Sequence, residues 1–258
     1  MDIFWYIYFF LAGLVLGSFY NVVGLRLPQK ESLVHPRSHC TACGHTLSPW
    51  ELIPVVSYIL LRGKCRSCGE QVSLIYPMFE LASGVLFVWS FHVFGFSAET
   101  IVAVLFASLL IIISVSDLSY RLILDKVLLF FLLPLLLLRL TAAPLDPWWD
   151  AFAGGAGGFL LLLLVAVVSK GGMGGGDIKL YGVIGLVLGL SNMFLSLFLA
   201  AAIGLLAGVI GMIWKGWGRK TEVPFGPFIA IGALAAYFIG EDLIHFYLGI
   251  LTGLINLF

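Results

Sequence analysis

Charge is what this chain has least of. Lys and Arg number 14 and Asp and Glu 14, together 11% of 258 residues, where a soluble domain carries about a quarter. That scarcity, with 61% hydrophobic residues and a mean hydropathy of +1.08, excludes an ordinary soluble domain. No basic stripe or basic helix exists, so a nucleic-acid partner is excluded. The chain has no G-x-S-x-G and no H-E-x-x-H, and no paired Ser/Lys site stands out. Gly174-x-Gly176 lacks a following G-K-[ST] and a preceding strand, so it is no phosphate loop. The first 24 residues hold Asp2 but no positive charge. Their apolar run exceeds the ~7–15 residues of a cleavable signal, so 1–24 is read as a first transmembrane helix.

What remains is apolar sequence in long runs, near 3–24, 78–96, 100–116, 123–140, 151–168, 178–190, 193–214 and 225–240. Each approaches the ~20 residues a spanning helix needs, although 178–190 is short. The tail, 241–258, turns apolar again after Leu243 and reads as a further segment or an interfacial one. The expected fold is an all-α polytopic membrane protein of about eight transmembrane helices, embedded in a lipid bilayer. With the N-terminus outside, every one of the 14 Lys and Arg residues except Arg139 falls in an inside loop. Asp2, Glu99, Asp146, Asp150, Glu241 and Asp242 collect outside. The positive-inside rule therefore selects this orientation. The expected domains are the helix 1–24, a cytosolic region 25–77 and a helical bundle 78–258. Gly185-x-x-x-Gly189 suggests close helix packing. No internal repeat is evident.

Cysteine is also scarce, and all four residues lie in the one long polar region. Cys40-Thr41-Ala42-Cys43-Gly44 and Cys65-Arg66-Ser67-Cys68-Gly69 are two C-x-x-C-G knuckles about twenty residues apart. Such spacing predicts a tetrahedral zinc site, and it fits a reducing cytosolic side. Four thiolates fill the ion's coordination, so the zinc is expected to be structural. A region of some fifty residues has little core of its own, and a metal staple is the expected remedy. His39 and His45, beside the first knuckle, are expected in supporting or solvated roles.

Two acids stand at the ends of apolar runs. Asp117 follows Ser114-Val115-Ser116, and Asp177 follows five glycines in the six positions 171–176. The topology places both on the cytosolic face. An ionisable residue at a membrane helix end is costly to desolvate and points to function. Alone, Asp177 reads equally as the N-cap of the next helix, and Asp117 as a charge in the headgroup zone. Together they suit a dyad in which one ionised carboxylate takes a proton from water while its neutral partner polarises a scissile carbonyl. The glycines Gly174 and Gly176 allow backbone to approach a ligand closely. Asp125 beside Lys126 reads as a loop ion pair or a support to the dyad. Glu80, early in the second span, is expected to pair with a cytosolic cation. Glu51 and Asn21 are further polar residues to which the sequence assigns no role.

These pieces, in order, resemble the type IV prepilin leader peptidases, bifunctional membrane enzymes. Gly17-Ser18-Phe19-Tyr20-Asn21 with Arg26-Leu27-Pro28 is similar to the family's opening. Arg37-Ser38-x-Cys40, Ile53-Pro54, Leu61-Arg62-Gly63-x-Cys65 and Tyr76-Pro77-x-x-Glu80 resemble its zinc-bearing domain. Gly172-Met173-Gly174-x-Gly176-Asp177-x-Lys179-Leu180 resembles its G-x-G-D signature, and Pro224-Phe225-Gly226-Pro227-Phe228 its late loop. The resemblance implies that Asp117 and Asp177 are catalytic, with Gly174, Gly176 and Lys179 in the active-site loop. It implies prepilin or pseudopilin substrates cut on the cytosolic side of a bacterial inner membrane. It further implies methylation of the new N-terminus with S-adenosylmethionine as methyl donor. The chain departs from the family at Leu124, where Pro is usual, near Tyr120, where His or another polar residue is frequent, and at Thr41, where Pro is common. Two rivals are a presenilin-type aspartyl protease, which has Tyr-Asp where this chain has Ser116-Asp117, and a transporter with a glycine-rich re-entrant loop.

Overall fold

The computed structural model describes residues 2–170, 172–215 and 223–255. Gly171, Arg219 and Lys220, which enter the sequence reading, lie outside them. The described residues form α1 (Asp2–Arg26), a short 3-10 turn (Pro49–Leu52), α2 (Val56–Leu60), α3 (Ile75–Phe94) and α4 (Ala98–Tyr120). There follow α5 (Asp125–Thr141), α6 (Asp150–Val168), α7 (Gly175–Lys215) and α8 (Gly226–Ile255). Among the described residues there are only two isolated β-bridges besides these helices. Six helices, α1, α3, α4, α6, α7 and α8, are long and apolar enough to cross a membrane. The chain divides into two compact units, 1–131 and 132–258, with the boundary inside α5.

In the first unit α1 and α3 approach through glycines. A Cβ on Gly13 would stand 2.7 Å from the Gly84 Cα, and one on Gly17 2.9 Å from the Glu80 Cα. Gly24 does the same against Val115 of α4. α4 is the most buried of the candidate spans, and from Val102 to Val115 most of its side chains are fully enclosed. Its serine hydroxyls are satisfied locally: Ser108 and Ser114 donate to the carbonyls four residues back. The Tyr20 hydroxyl meets Ser108 at 2.7 Å and ties α1 to α4.

In the second unit the sequence expects two segments, 178–190 and 193–214, where α7 runs as one assigned helix. Gly189 reconciles the two. Its φ of 75° and ψ of 177° break the helix, a backbone conformation open only to glycine. Tyr181 and Met193 both lie against Gly158 of α6, although twelve residues of straight helix would separate them by about 18 Å. The arms 175–188 and 190–215 therefore fold back on each other. The free N–H at the start of the second arm is capped from another helix, Leu190 donating to Asp150 Oδ1 at 3.1 Å. Gly185 packs backbone to backbone against Gly154, as small residues at membrane helix interfaces do. Gly189 shares that packing, its Cα and carbonyl carbon lying against Gly154, and is the hinge as well. As far as Ile255 the tail is no separate segment but the continuation of α8.

Candidate active site and metal centre

The two cysteine knuckles are near copies at an offset of 25 residues. Gly44 and Gly69 adopt positive φ, 71° and 77°, and each donates its N–H to the first cysteine of its knuckle at 2.9 Å. Cys40 donates to the His45 carbonyl at 2.9 Å, and Cys65 to the Glu70 carbonyl at 2.8 Å. The bridges His39–Thr46 and Lys64–Gln71 complete the match. This short internal duplication escapes a search of the sequence because only C-x-x-C-G is shared.

The four sulfurs lie within 4.8 Å of one another, with Cys40–Cys68 at 3.8 Å and Cys43–Cys65 at 3.9 Å. Four thiolates about 2.3 Å from one tetrahedral ion stand about 3.8 Å apart, so the donor set fits such an ion. Backbone N–H groups of Cys43 and then Ala42 bring the Cys40 thiol down to about 7. Those of Cys68 and Ser67 lower the Cys65 thiol likewise. His45 is not a ligand. Its Nε2 stands 3.4 Å from Glu51 Oε2, and the same carboxylate accepts from the Ser48 N–H at 2.9 Å and its hydroxyl at 2.6 Å. The Ser48 hydroxyl, then the Ser48 N–H, hold the Glu51 carboxyl down at about 2, against the effect of burial. This box, Ser48-x-x-Glu51, was legible as a helix-start signature, and it gives Glu51 the role that sequence reasoning left blank.

Asp117 lies in the last turn of α4 and is 7% exposed. The helix stops just after it: Arg121 takes a left-handed φ of 53° and donates its N–H to the Asp117 carbonyl at 2.9 Å. Ser116 Oγ closes the turn by donating to the Leu122 carbonyl at 2.6 Å. Asp177 lies in the first turn of α7, half-buried. It is not the cap residue itself, since Gly175 already begins the helix. Its Oδ2 folds back over Gly174, where a Cβ would come within 3.2 Å of it. Gly176 is half-buried, whereas Lys179 and Asp125 are exposed, Asp125 as the first residue of α5. Asp117 and Asp125 belong to the first unit, and Asp177, Gly174, Gly176 and Lys179 to the second.

Glu80 departs from its expected role. It is 8% exposed, and its Oε2 accepts the Val55 N–H at 2.8 Å. Among the described residues no Lys, Arg or His forms an ion pair with it. Val55 has a φ of 62°, a strained conformation for a β-branched residue. Sequence reasoning had no signal for this turn beyond Ile53-Pro54.

Two family profiles cover most of the chain, the bacterial peptidase A24 N-terminal domain over residues 11–94 and the type IV leader peptidase family over 104–209. The chain is 43% identical over 244 residues to the prepilin leader peptidase/N-methyltransferase of Bacillus subtilis, covering 95% of this chain and 98% of that protein. It is 35% identical over 272 residues to the protein of that name in Pseudomonas aeruginosa, covering 92% and 91%. The Xanthomonas campestris protein of the same name is 33% identical over 267 residues, covering 92% of each. No solved structure matches. The cysteine cluster falls inside the first profile, and both helix-end acids fall inside the second. This chain belongs to the type IV leader peptidase family.

Proposed function

We propose that this protein cleaves the leader from prepilin or pseudopilin chains and methylates the N-terminus it exposes. The observation that carries the reading is the placement of two acids at opposite kinds of helix end within the leader-peptidase profile. Asp177 sits at the positive, N-terminal end of α7 and Asp117 at the negative, C-terminal end of α4. Those opposed dipole fields suit one acid to act ionised and the other protonated. In this account Asp117 and Asp177 meet at one spot. Asp177 takes a proton from a water that attacks the scissile carbonyl, Asp117 hydrogen-bonds to that carbonyl oxygen, and Asp177 passes the proton on to the departing amine as the C–N bond breaks. Gly174 and Gly176 leave room for the extended substrate backbone. Lys179 and Asp125 line the approach.

The ion held by Cys40, Cys43, Cys65 and Cys68 is zinc and is structural, since thiolates occupy all four positions. Residues 25–77 form the cytosolic domain that faces the basic leader, 1–24 the first span and 78–258 the catalytic bundle. The protein is a multi-pass protein of the bacterial inner membrane with the zinc domain and acids inside, in keeping with the positive-inside bias. S-adenosylmethionine supplies the methyl group when bound. The test is incubation of the purified protein with a model prepilin, with and without S-adenosylmethionine, read by mass spectrometry. Loss of the leader and a gain of one methyl on the new N-terminus are expected. An intact leader would overturn the peptidase reading, and an unmethylated product the methylation reading.

A further inference from the structure

The cytosolic ends of α1 and α3 enclose a group of acceptors without a matching cation. Asn21 is 1% exposed. Its Nδ2 donates to the Tyr76 carbonyl at 3.1 Å, but its Oδ1 has no hydrogen-bond partner among the described residues. One turn along α3 from Tyr76, the enclosed Glu80 carboxylate accepts from the Val55 N–H and meets the Ser18 hydroxyl, yet lacks an ion-pair partner among the described residues. Gly17 lets the two helices close around this point, because a Cβ there would strike Ser83 and the Glu80 backbone.

A buried carboxylate without a cation is costly, and so is a buried amide oxygen without a donor. Both costs vanish if a ligand brings a positive charge and several N–H donors. Tyr76, whose carbonyl holds Asn21, precedes Glu80 by one helical turn on α3, so both acceptors lie at the same end of the α1–α3 pair. A quaternary ammonium would answer neither fully, because it has no N–H to donate.

We infer that Glu80 and Asn21 bind a primary ammonium, namely the α-amine that leader cleavage exposes at the start of the mature, apolar-headed chain. The inference rests on the proposed function for the origin of that amine. The Val55 turn, held by Glu80, forms the wall of the site toward the zinc-bearing region. These acceptors thus supply what the methylation half of the activity needs and the aspartates do not, a place that holds the amino terminus still.

The test uses the full-length, metal-loaded protein in nanodiscs and a synthetic peptide with a mature prepilin N-terminus, free or N-acetylated. The free peptide is expected to bind about ten-fold tighter or more, the worth of a hydrogen bond to a charged group. In Glu80→Gln that preference is expected to fall to near one, and in Glu80→Asp to be partly kept, with metal content unchanged. A membrane-permeant carbodiimide should join the free peptide's α-amine to Glu80 in the unaltered protein, a readout that needs no variant. Equal binding of free and acetylated peptide, an unchanged preference in Glu80→Gln, or a cross-link at another carboxylate would each overturn the inference. So would a preference that appears only for S-adenosylmethionine or for a leader lysine. If the protein neither cleaves nor methylates a model prepilin, the proposed function fails, while the ammonium site is still judged by the binding ratio and the cross-link.

Discussion

Gly185→Ala is the substitution whose cost follows most directly from the packing of α6 on α7. An added Cβ would lie 2.9 Å from the Gly155 nitrogen and closer still to the Gly154 carbonyl. Ordinary carbon contacts begin near 3.5 Å. The obstructing atoms are backbone, so no rotamer change relieves the overlap and α6 must retreat by about half an ångström or more. Retreat also loosens Gly154 against the Gly189 carbonyl carbon and Gly158 against the Tyr181 oxygen, now 2.6 and 2.5 Å from an ideal Cβ. Overpacking of this kind costs about 1–3 kcal/mol. Taking about 2 kcal/mol, the folded-to-unfolded ratio falls roughly thirty-fold and Tm by about 4–8 °C. The control is Gly208→Ala, also in α7, where an added Cβ meets nothing within 4 Å. It should be neutral or gain up to about 1 kcal/mol from helix propensity. Thermal unfolding of both variants in the same detergent decides the matter. Equal melting of Gly185→Ala and Gly208→Ala would refute the close-packing argument.

Three further outcomes follow from the local chemistry. Asp150→Ala removes the acceptor at Leu190 N–H and should cost about 1 kcal/mol, as loss of a helix cap does, whereas Asp150→Asn keeps an oxygen and should cost less in the same melting assay. Removing the metal by chelation, or mutating Cys65→Ser, should open residues 38–72 to protease before α6, α7 or α8 is cut; mass spectrometry of limited digests reads this, and an unchanged digest would contradict a structural ion. Glu51 titrates near 2 rather than its usual 4.5, so its carboxylate stabilises the fold fully above about pH 4.5 and progressively less as pH falls toward 2. The Tm gap between the unaltered protein and Glu51→Gln should therefore narrow over that window, and a constant gap would contradict the assignment.

The helices were legible because long apolar runs and scarce charge leave few alternatives, and the knuckles because C-x-x-C-G carries its own geometry. Less legible was anything fixed by a partner distant in sequence. Gly189 and Gly185 look alike in the sequence and both pack against Gly154, yet only Gly189 is also a hinge, with Asp150 capping the arm that follows it. Which role each takes depends on α6, whose register no local pattern reveals. Likewise Glu80 was expected to face a cation, but its partners are the Ser18 hydroxyl and the backbone of Val55, held in a strained turn 25 residues earlier. The acids were found from their positions at helix ends and from motif context. Their burial, complete for Asp117 and partial for Asp177, follows from tertiary packing that periodicity does not encode.

The central claim is that Asp117 and Asp177 work as one unit, and single-turnover cleavage of a model prepilin by Asp117→Asn, Asp177→Asn and the double variant measures it directly. Groups that act together lose their effect together. Each single change should therefore slow cleavage by about a thousand-fold or more, with the double variant little worse than either. Cleavage retained in either single variant, or losses that multiply in the double, would contradict the account.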